Sequence, residues 1–314
     1  MKLLISRLLP PAVMERARAE FDVTLRDTSD PMTQAEATQA IEEFDAILPT
    51  LGDQFTAQSI LAAKPRAKLL ANFGVGYNHI DVDAAHEQGI AVTNTPGAVT
   101  DATADVALTL MLMTARRAGE GERLVRAGKW TGWQPTQMLG LHLTGKTIGI
   151  IGMGRIGQAI ADRCRHGFGC KIVYANRSVK DIDGATQLGN VEEVAAVADV
   201  VVAATPGGAE TRHLIGADVF SAMQSHAIFV NISRGDVVDE AALIFALQDG
   251  QIGGAGLDVY EQEPRVPKAL TDMENVVLLP HLGTNTLEVR TSMGMMALDN
   301  LAAFVAGKDL PNPV

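Results

Sequence analysis

The chain has 314 residues, enough for two domains that each bury a core, and its 47% hydrophobic content with 30 glycines suits parallel α/β sheets. A formal net charge of −11 argues against a nucleic-acid or anionic-membrane partner, either of which favours basic patches. Two cysteines, Cys164 and Cys170, are too few for a disulfide framework or a metal cluster and read as reduced core thiols.

Met1–Arg7 lacks the long apolar region and small-residue cleavage site of a signal peptide, and no later apolar run is long enough to span a bilayer. A cytoplasmic protein is therefore implied, with this segment as its first strand. Apolar runs at Lys2–Ser6, Asp22–Leu25, Ala46–Thr50, Leu69–Phe73 and Ala91–Asn94 alternate with helical patterns such as Pro11–Glu20 and Thr33–Phe44. Such alternation predicts parallel βαβ units, here without a phosphate loop of their own. Thr100–Ala118 reads as one long helix capped by Thr100, with Met111 and Met113 as core filler. A loop carrying Trp130 and Trp133 follows.

The next strand runs into a glycine fingerprint, Thr147-Ile-Gly-Ile-Ile-Gly152-Met153-Gly154-Arg155-Ile156-Gly157. Gly152 permits the tight turn, Gly154 lets the backbone approach a pyrophosphate, and Gly157 lets the following helix pack close to the strand. The helix start then offers N–H groups and a positive dipole end to phosphates. Dinucleotide domains normally begin with this pattern, yet here Met1–Lys146 come first, so another domain is folded before it.

Five further strand candidates follow: Lys171–Asn176, Val200–Thr205, Ala227–Ser233, Gly254–Val259 and Val276–Pro280. With the fingerprint strand they make six, the number in a doubly wound dinucleotide domain. The last helical stretch, Thr286–Ala306, has no partner left in that sheet and is expected to return to the first domain. The predicted fold class is α/β, with two doubly wound parallel-sheet domains. A Rossmann cofactor domain, residues 100–284, is inserted into a flavodoxin-like substrate domain, residues 1–99 and 285–314. The crossings near Pro96–Thr100 and Gly283–Thr286 are expected to act as hinges for closure.

Where an NAD site places Asp or Glu about twenty residues past the fingerprint, this strand ends in Asn176-Arg177-Ser178. Arg177 can pair with a 2′-phosphate, and Asn176 and Ser178 can donate to it. NADP(H) is therefore favoured, with NAD(H) as the weaker alternative. Three later segments put one titratable or charged side chain each just past a strand: Asn231–Asp239 with Arg234, Gly256–Pro264 with Asp258 and Glu263, and Leu279–Thr284 with His281. A guanidinium, a carboxylate and an imidazole are the set that reduction of a 2-oxo acid requires. The remaining histidines follow no ligand spacing, and no metal site is apparent.

These segments, with Asn72–Asp81, Thr95-Pro-Gly and the fingerprint, resemble the D-isomer-specific 2-hydroxyacid dehydrogenase family over essentially the whole chain. The resemblance implies that Arg234 binds the substrate carboxylate and carbonyl, that His281 is the acid/base, and that Glu263 is its partner. It implies that the backbone amides of Val75 and Gly76 hold the substrate carboxylate and that Leu51 lines the pocket. It places Asp258 near the nicotinamide, and Thr205, Pro206, Ile232 and Ser233 along the cofactor groove. Thr103, Thr211, Gly283 and residues 152–157, including Met153, Arg155 and Ile156, complete the expected nucleotide contacts.

Within the family the chain is most similar to NADP-dependent glyoxylate/hydroxypyruvate reductases, which tend to have a loop like Asn176–Ser178 and a Trp-x-x-Trp like Trp130–Trp133. In some relatives the second tryptophan reaches the partner subunit's active site; for Trp133 that role in substrate binding and simple dimer packing stand as alternatives. A homodimer contacting through the helix after Thr100 is implied. Glu263 argues against formate dehydrogenases, which carry Gln there, and a long extra C-terminal domain of the kind some phosphoglycerate dehydrogenases carry is not expected. The expected function is reduction of small 2-oxo acids such as glyoxylate and hydroxypyruvate. The alternatives are a longer sugar-derived acid such as 2-ketogluconate, or a nucleotide-sensing corepressor-like binding protein.

Overall fold

A computed structural model describes all residues, Met1–Val314, which divide into two compact units. One comprises Met1–Val99 with Thr284–Val314, the other Thr100–Gly283. The first unit opens with β1 (Lys2–Ile5), α1 (Pro11–Glu20), β2 (Asp22–Leu25), α2 (Gln34–Glu43) and β3 (Ala46–Leu48). It continues through α3 (Ala57–Ala62), β4 (Leu69–Ala71), α4 (Val82–Glu87) and β5 (Ala91–Thr93). All five strands are parallel in the order β2-β1-β3-β4-β5, the flavodoxin-like arrangement. The central strands β3 and β4 are buried along their whole length, as a sheet covered on both faces requires. Local signals start the helices: Pro11 occupies the first turn of α1, and a capping box opens α2, where Thr33 and Glu36 exchange backbone and side-chain bonds.

The second unit begins with α5 (Thr100–Ala115) and α6 (Ala118–Arg126), where the sequence predicts one helix over Thr100–Ala118. The helix stops because Arg117 turns left-handed, at φ 52°, and its guanidinium clasps Glu120 in the first turn of α6. Then come β6 (Thr147–Ile151), α7 (Arg155–Phe168), β7 (Lys171–Ala175), β8 (Ala185–Gln187), α8 (Val191–Val197) and β9 (Val200–Ala203). The unit ends with α9 (Ala217–Ala222), β10 (Ile228–Asn231), α10 (Glu240–Gln248), β11 (Gly254–Leu257), α11 (Lys268–Thr271) and β12 (Val276–Leu278).

Its sheet is entirely parallel, in the order β12-β11-β10-β9-β6-β7-β8. The order reverses between β9 and β6, which is the doubly wound Rossmann arrangement and its switch point. The sheet has seven strands and not the expected six. The additional one, β8, is a short edge strand with no apolar run, and only its register with β7 makes it a strand. Helix α5 lies against β10, β11 and β12; a Cβ at Gly256 would meet the Thr114 hydroxyl at 2.9 Å and the Leu110 Cβ at 3.0 Å, so glycine sets this approach.

The chain then re-enters the first unit as α12 (Leu287–Val305), which packs on α1 and β4. The segment after it runs antiparallel to β5, with the Asn94 N–H donating to Asn312 O at 3.1 Å. No helix is long and apolar enough to cross a membrane.

Candidate active site

The glycine turn between β6 and α7 is built as a phosphate cradle. Gly152 has φ 98°, and a Cβ there would lie 2.8 Å from the Ala204 backbone. At Gly157 a Cβ would lie 2.2 Å from Gly152 O, so this glycine lets the helix close onto the turn. A Cβ at Gly154 would meet nothing within 4 Å: the space beside it is open. Gly154 is the N-cap of α7 without a side-chain cap, so the N–H groups of the first turn remain available to an anion. Arg155 lies exposed at the helix start, Ile156 is half-buried, and the Met153 side chain is buried. Across the groove Ser233 Oγ donates to Thr205 O, while Thr205 Oγ1 is buried with no partner, an orphaned group that a bound nucleotide would satisfy. Ile232 is buried, Pro206 is exposed, and Thr211 Oγ1 closes its own loop by donating to Pro206 O at 2.7 Å. These residues fit a dinucleotide.

At the end of β7 the structure uses Asn176 differently from expectation. Its Oδ1 accepts the Met153 N–H at 3.1 Å and its Nδ2 donates to Ser178 O at 2.9 Å and Oγ at 3.1 Å. Asn176 therefore ties the glycine turn to β7, and its donors are already engaged. Arg177 is highly exposed, but it is ion-paired with Glu210, 33 residues further along the chain. The carboxylate missing from the end of β7 thus arrives from the turn after β9.

The catalytic candidates gather at the C-terminal ends of β10, β11 and β12, where open parallel sheets bind ligands. His281 Nδ1 and Glu263 Oε2 are 2.9 Å apart, and Glu263 Oε1 accepts the Tyr260 N–H at 3.1 Å. Burial raises the Glu263 pKa, but the hydrogen bond and charge of His281, the Tyr260 N–H and the Arg234 charge outweigh it and hold the carboxyl below its ordinary value. Arg234 reaches the site through a turn that requires glycine: a Cβ at Gly235 would lie 1.9 Å from the Tyr260 carbonyl. Burial lowers the guanidinium pKa, opposed by Glu263 and Asp236. Its Nη1 donates to Ser233 O at 2.7 Å, while its Nε is buried without a partner.

His281 has φ 54°, a left-handed conformation that costs a non-glycine residue about 1–3 kcal/mol. Asp258 holds it there. The His281 N–H donates to Asp258 O at 2.9 Å, and the Asp258 carboxylate accepts the N–H groups of Leu282 at 2.6 Å and Gly283 at 2.9 Å. Burial pushes the Asp258 carboxyl pKa up against those bonds. Thr103 Oγ1 donates to Gly283 O at 3.2 Å, anchoring the same loop to α5. Both Asp258 oxygens thus position the His281 loop.

Three expected contacts lie in the other unit. Leu51 follows β3 and is 40% exposed, while Val75 and Gly76 follow β4 and are half-buried. Trp133 is 80% exposed, in the same long loop as the exposed Trp130 and Leu139. A cavity of about 440 Å³ next to Gly253 and Asn275 lies at the opposite, N-terminal ends of β11 and β12 and includes none of the catalytic candidates.

Several contributors are not marked as functional by their residue type or spacing. Asn231 braces the Arg234 turn, with Nδ2 donating to Arg234 O at 3.0 Å and Oδ1 accepting the Ser233 N–H at 3.0 Å. Tyr260 fixes Glu263 through its N–H and reaches Leu279 O through its hydroxyl at 2.8 Å. Both lie inside motifs that the sequence already marks. Glu210 has no such signal.

A sequence profile described as D-isomer specific 2-hydroxyacid dehydrogenase, NAD binding domain, matches residues 108–283. The glyoxylate reductases of Thermococcus kodakarensis and Pyrococcus furiosus are 41% and 40% identical to this chain, covering all of it and 96% and 95% of their own lengths. Among solved structures, the NADPH-dependent glyoxylate/hydroxypyruvate reductase of Sinorhizobium meliloti, in complex with NADP and malonate, superposes with a TM-score of 0.90 at 37% identity. The match covers 100% of this chain and 96% of that one.

Proposed function

This chain belongs to the D-isomer specific 2-hydroxyacid dehydrogenase family, and we propose that it reduces small 2-oxo acids, glyoxylate and hydroxypyruvate first, using NADPH. The observation that carries the reading is the Glu263–His281 bond within electrostatic reach of Arg234, whose Nε is a buried, unpartnered donor. Arg234 takes the substrate carboxylate and polarises its carbonyl. With Glu263 ionised, His281 donates Nδ1–H to it, and Nε2 delivers a proton to the carbonyl oxygen. Bound NADPH supplies the hydride to the carbonyl carbon, so one hydride and one proton convert the 2-oxo acid to the 2-hydroxy acid. Asp258 keeps His281 in place, and the Val75 and Gly76 amides take the substrate carboxylate.

The Gly152–Gly157 turn and the α7 N-terminus hold the pyrophosphate, and Arg177 holds the 2′-phosphate. The named cofactor of the Sinorhizobium relative supports this choice. The exposed Trp130, Trp133 and Leu139 are read as part of a homodimer face. Steady-state kcat/KM values for glyoxylate, hydroxypyruvate and longer oxo acids, each with NADPH and NADH, test the proposal. Faster turnover with NADH overturns the cofactor reading; 2-ketogluconate outrunning glyoxylate overturns the substrate reading.

A further inference from the structure

The loop after β4 is held from behind by two asparagine side chains. Asn72 is fully buried, and its Nδ2 donates to both Gly74 O and Gly76 O, each at 3.1 Å. The carbonyl between them, Val75 O, accepts from Asn94 Nδ2 at 2.9 Å. Gly74 O also accepts the Thr95 N–H at 3.0 Å. Gly74 itself has φ 155°, a backbone region open essentially to glycine alone.

A trans peptide is planar, with its C=O and N–H pointing in opposite directions. Fixing Gly74 O therefore aims the Val75 N–H, and fixing Val75 O aims the Gly76 N–H. Neither N–H donates to any group of the chain. Two adjacent donors are thus oriented and left free, the arrangement by which a backbone captures a carboxylate without a charged side chain.

We propose that Asn72 and Asn94 are positioning residues for substrate binding: they aim the Val75 and Gly76 amides at the substrate carboxylate. The inference rests on the reading that these two amides receive that carboxylate. Asn94 is itself braced by the segment after α12, through its N–H to Asn312 O, so it is built to hold a fixed place. The substrate carboxylate carries the same charge before and during hydride transfer, so a contact to it is made nearly equally in the ground and transition states, and its loss raises KM and spares kcat.

The test is Asn94→Asp and Asn72→Asp, which keep side-chain size and replace the donor with an oxygen facing a carbonyl. Asn94 is half-buried and its variant is the safeguard if the buried Asn72 variant fails to fold. Expected in Asn94→Asp are a rise of roughly tenfold in KM for glyoxylate and in the inhibition constant of oxalate, kcat within about twofold, and an unchanged NADP⁺ dissociation constant. A purely structural role would instead lower kcat, nucleotide affinity and thermal midpoint together, and that outcome overturns the proposal. Amide ¹H–¹⁵N spectra of the wild-type protein with NADP⁺, titrated with oxalate, separate carboxylate binding at these amides from the role of the asparagines. Silent Val75 and Gly76 amides refute the carboxylate reading itself. Responsive amides with unchanged KM in Asn94→Asp refute only the role of the asparagines.

Discussion

Both sheets present loops at the C-terminal ends of parallel strands, but they furnish those loops with different chemistry. After β4, the donors are neutral backbone amides whose carbonyls are tied back by Asn72 and Asn94. After β10, β11 and β12 the candidate groups are charged or titratable side chains, and burial with neighbouring charge moves the pKa values of Arg234, Asp258 and Glu263. The glycines differ in the same way. Gly74 is required for its backbone angle, whereas Gly235 is required because no side chain fits against Tyr260. An amide site has nothing to titrate, so on the proposed function pH sensitivity and the largest rate losses are expected from substitutions in Thr100–Gly283.

The sharpest way to break that contrast is His281→Ala. It should lower kcat by roughly 10²–10⁴-fold, the range for losing a positioned acid, while NADP⁺ affinity measured by calorimetry stays near wild type. Near-normal turnover would remove the imidazole from the chemistry. Glu263→Gln keeps the shape and deletes the charge, and should cost roughly tenfold or more in kcat. The sign of its pH effect follows from the depressed Glu263 pKa: the ionised pair is complete above the ordinary carboxylate range and is lost as pH falls through the lower folded value. The acid limb of the wild-type rate profile should therefore lie below the usual carboxylate range, and it should vanish in Glu263→Gln. A limb that persists in the variant belongs to another group.

Every strand except β8 was legible in the sequence, most of them as apolar runs, because the inner parallel strands are buried on both faces; β2, an unburied edge strand, was read from Asp22-Val-Thr-Leu25. β8 escaped because an exposed edge strand is defined by its neighbour and not by its own residues. The break at Arg117 escaped because neither Gly nor Pro announces it; the signal is an arginine that finds Glu120 three residues on. Asp258, Glu263 and His281 could be picked out as strand-end residues, but their geometry could not. Nothing in one dimension says that Asp258 spends both oxygens on the His281 loop. Glu210 was invisible for a related reason: loops brought together by a sheet have no shared period in the sequence.

That pairing makes the next prediction. Glu210 neutralises the cation expected to receive a 2′-phosphate, so Glu210→Gln should tighten NADP⁺ binding by roughly three- to tenfold and leave NAD⁺ almost unchanged. Because both side chains are more than four-fifths exposed, the gain should shrink as salt is added. Equal effects on both nucleotides would show that Arg177 does not read the phosphate.

The smallest expected effect comes from the other unit and concerns stability alone. The Glu36 carboxylate accepts the Thr33 N–H at 2.8 Å and hydroxyl at 2.9 Å, and it also receives Arg26. The Thr33 N–H foremost, then Arg26 and the Thr33 hydroxyl, hold its pKa down to about 2. A folded pKa below the unfolded one stabilises the protein above the ordinary carboxylate range, and that contribution is lost as pH falls toward about 2. The side chain is 41% exposed, so solvent screening limits the electrostatic share. Glu36→Ala should cost about 1 kcal/mol, the usual value of a helix cap, seen as a lower denaturant midpoint at neutral pH that converges with wild type in acid. Its kcat, KM and NADP⁺ affinity should match wild type, because α2 follows β2 and carries none of the loops assigned to chemistry. A change in KM would mean that the capping of α2 reaches the loop after β4, and the neutral amide site would then depend on a titratable group after all.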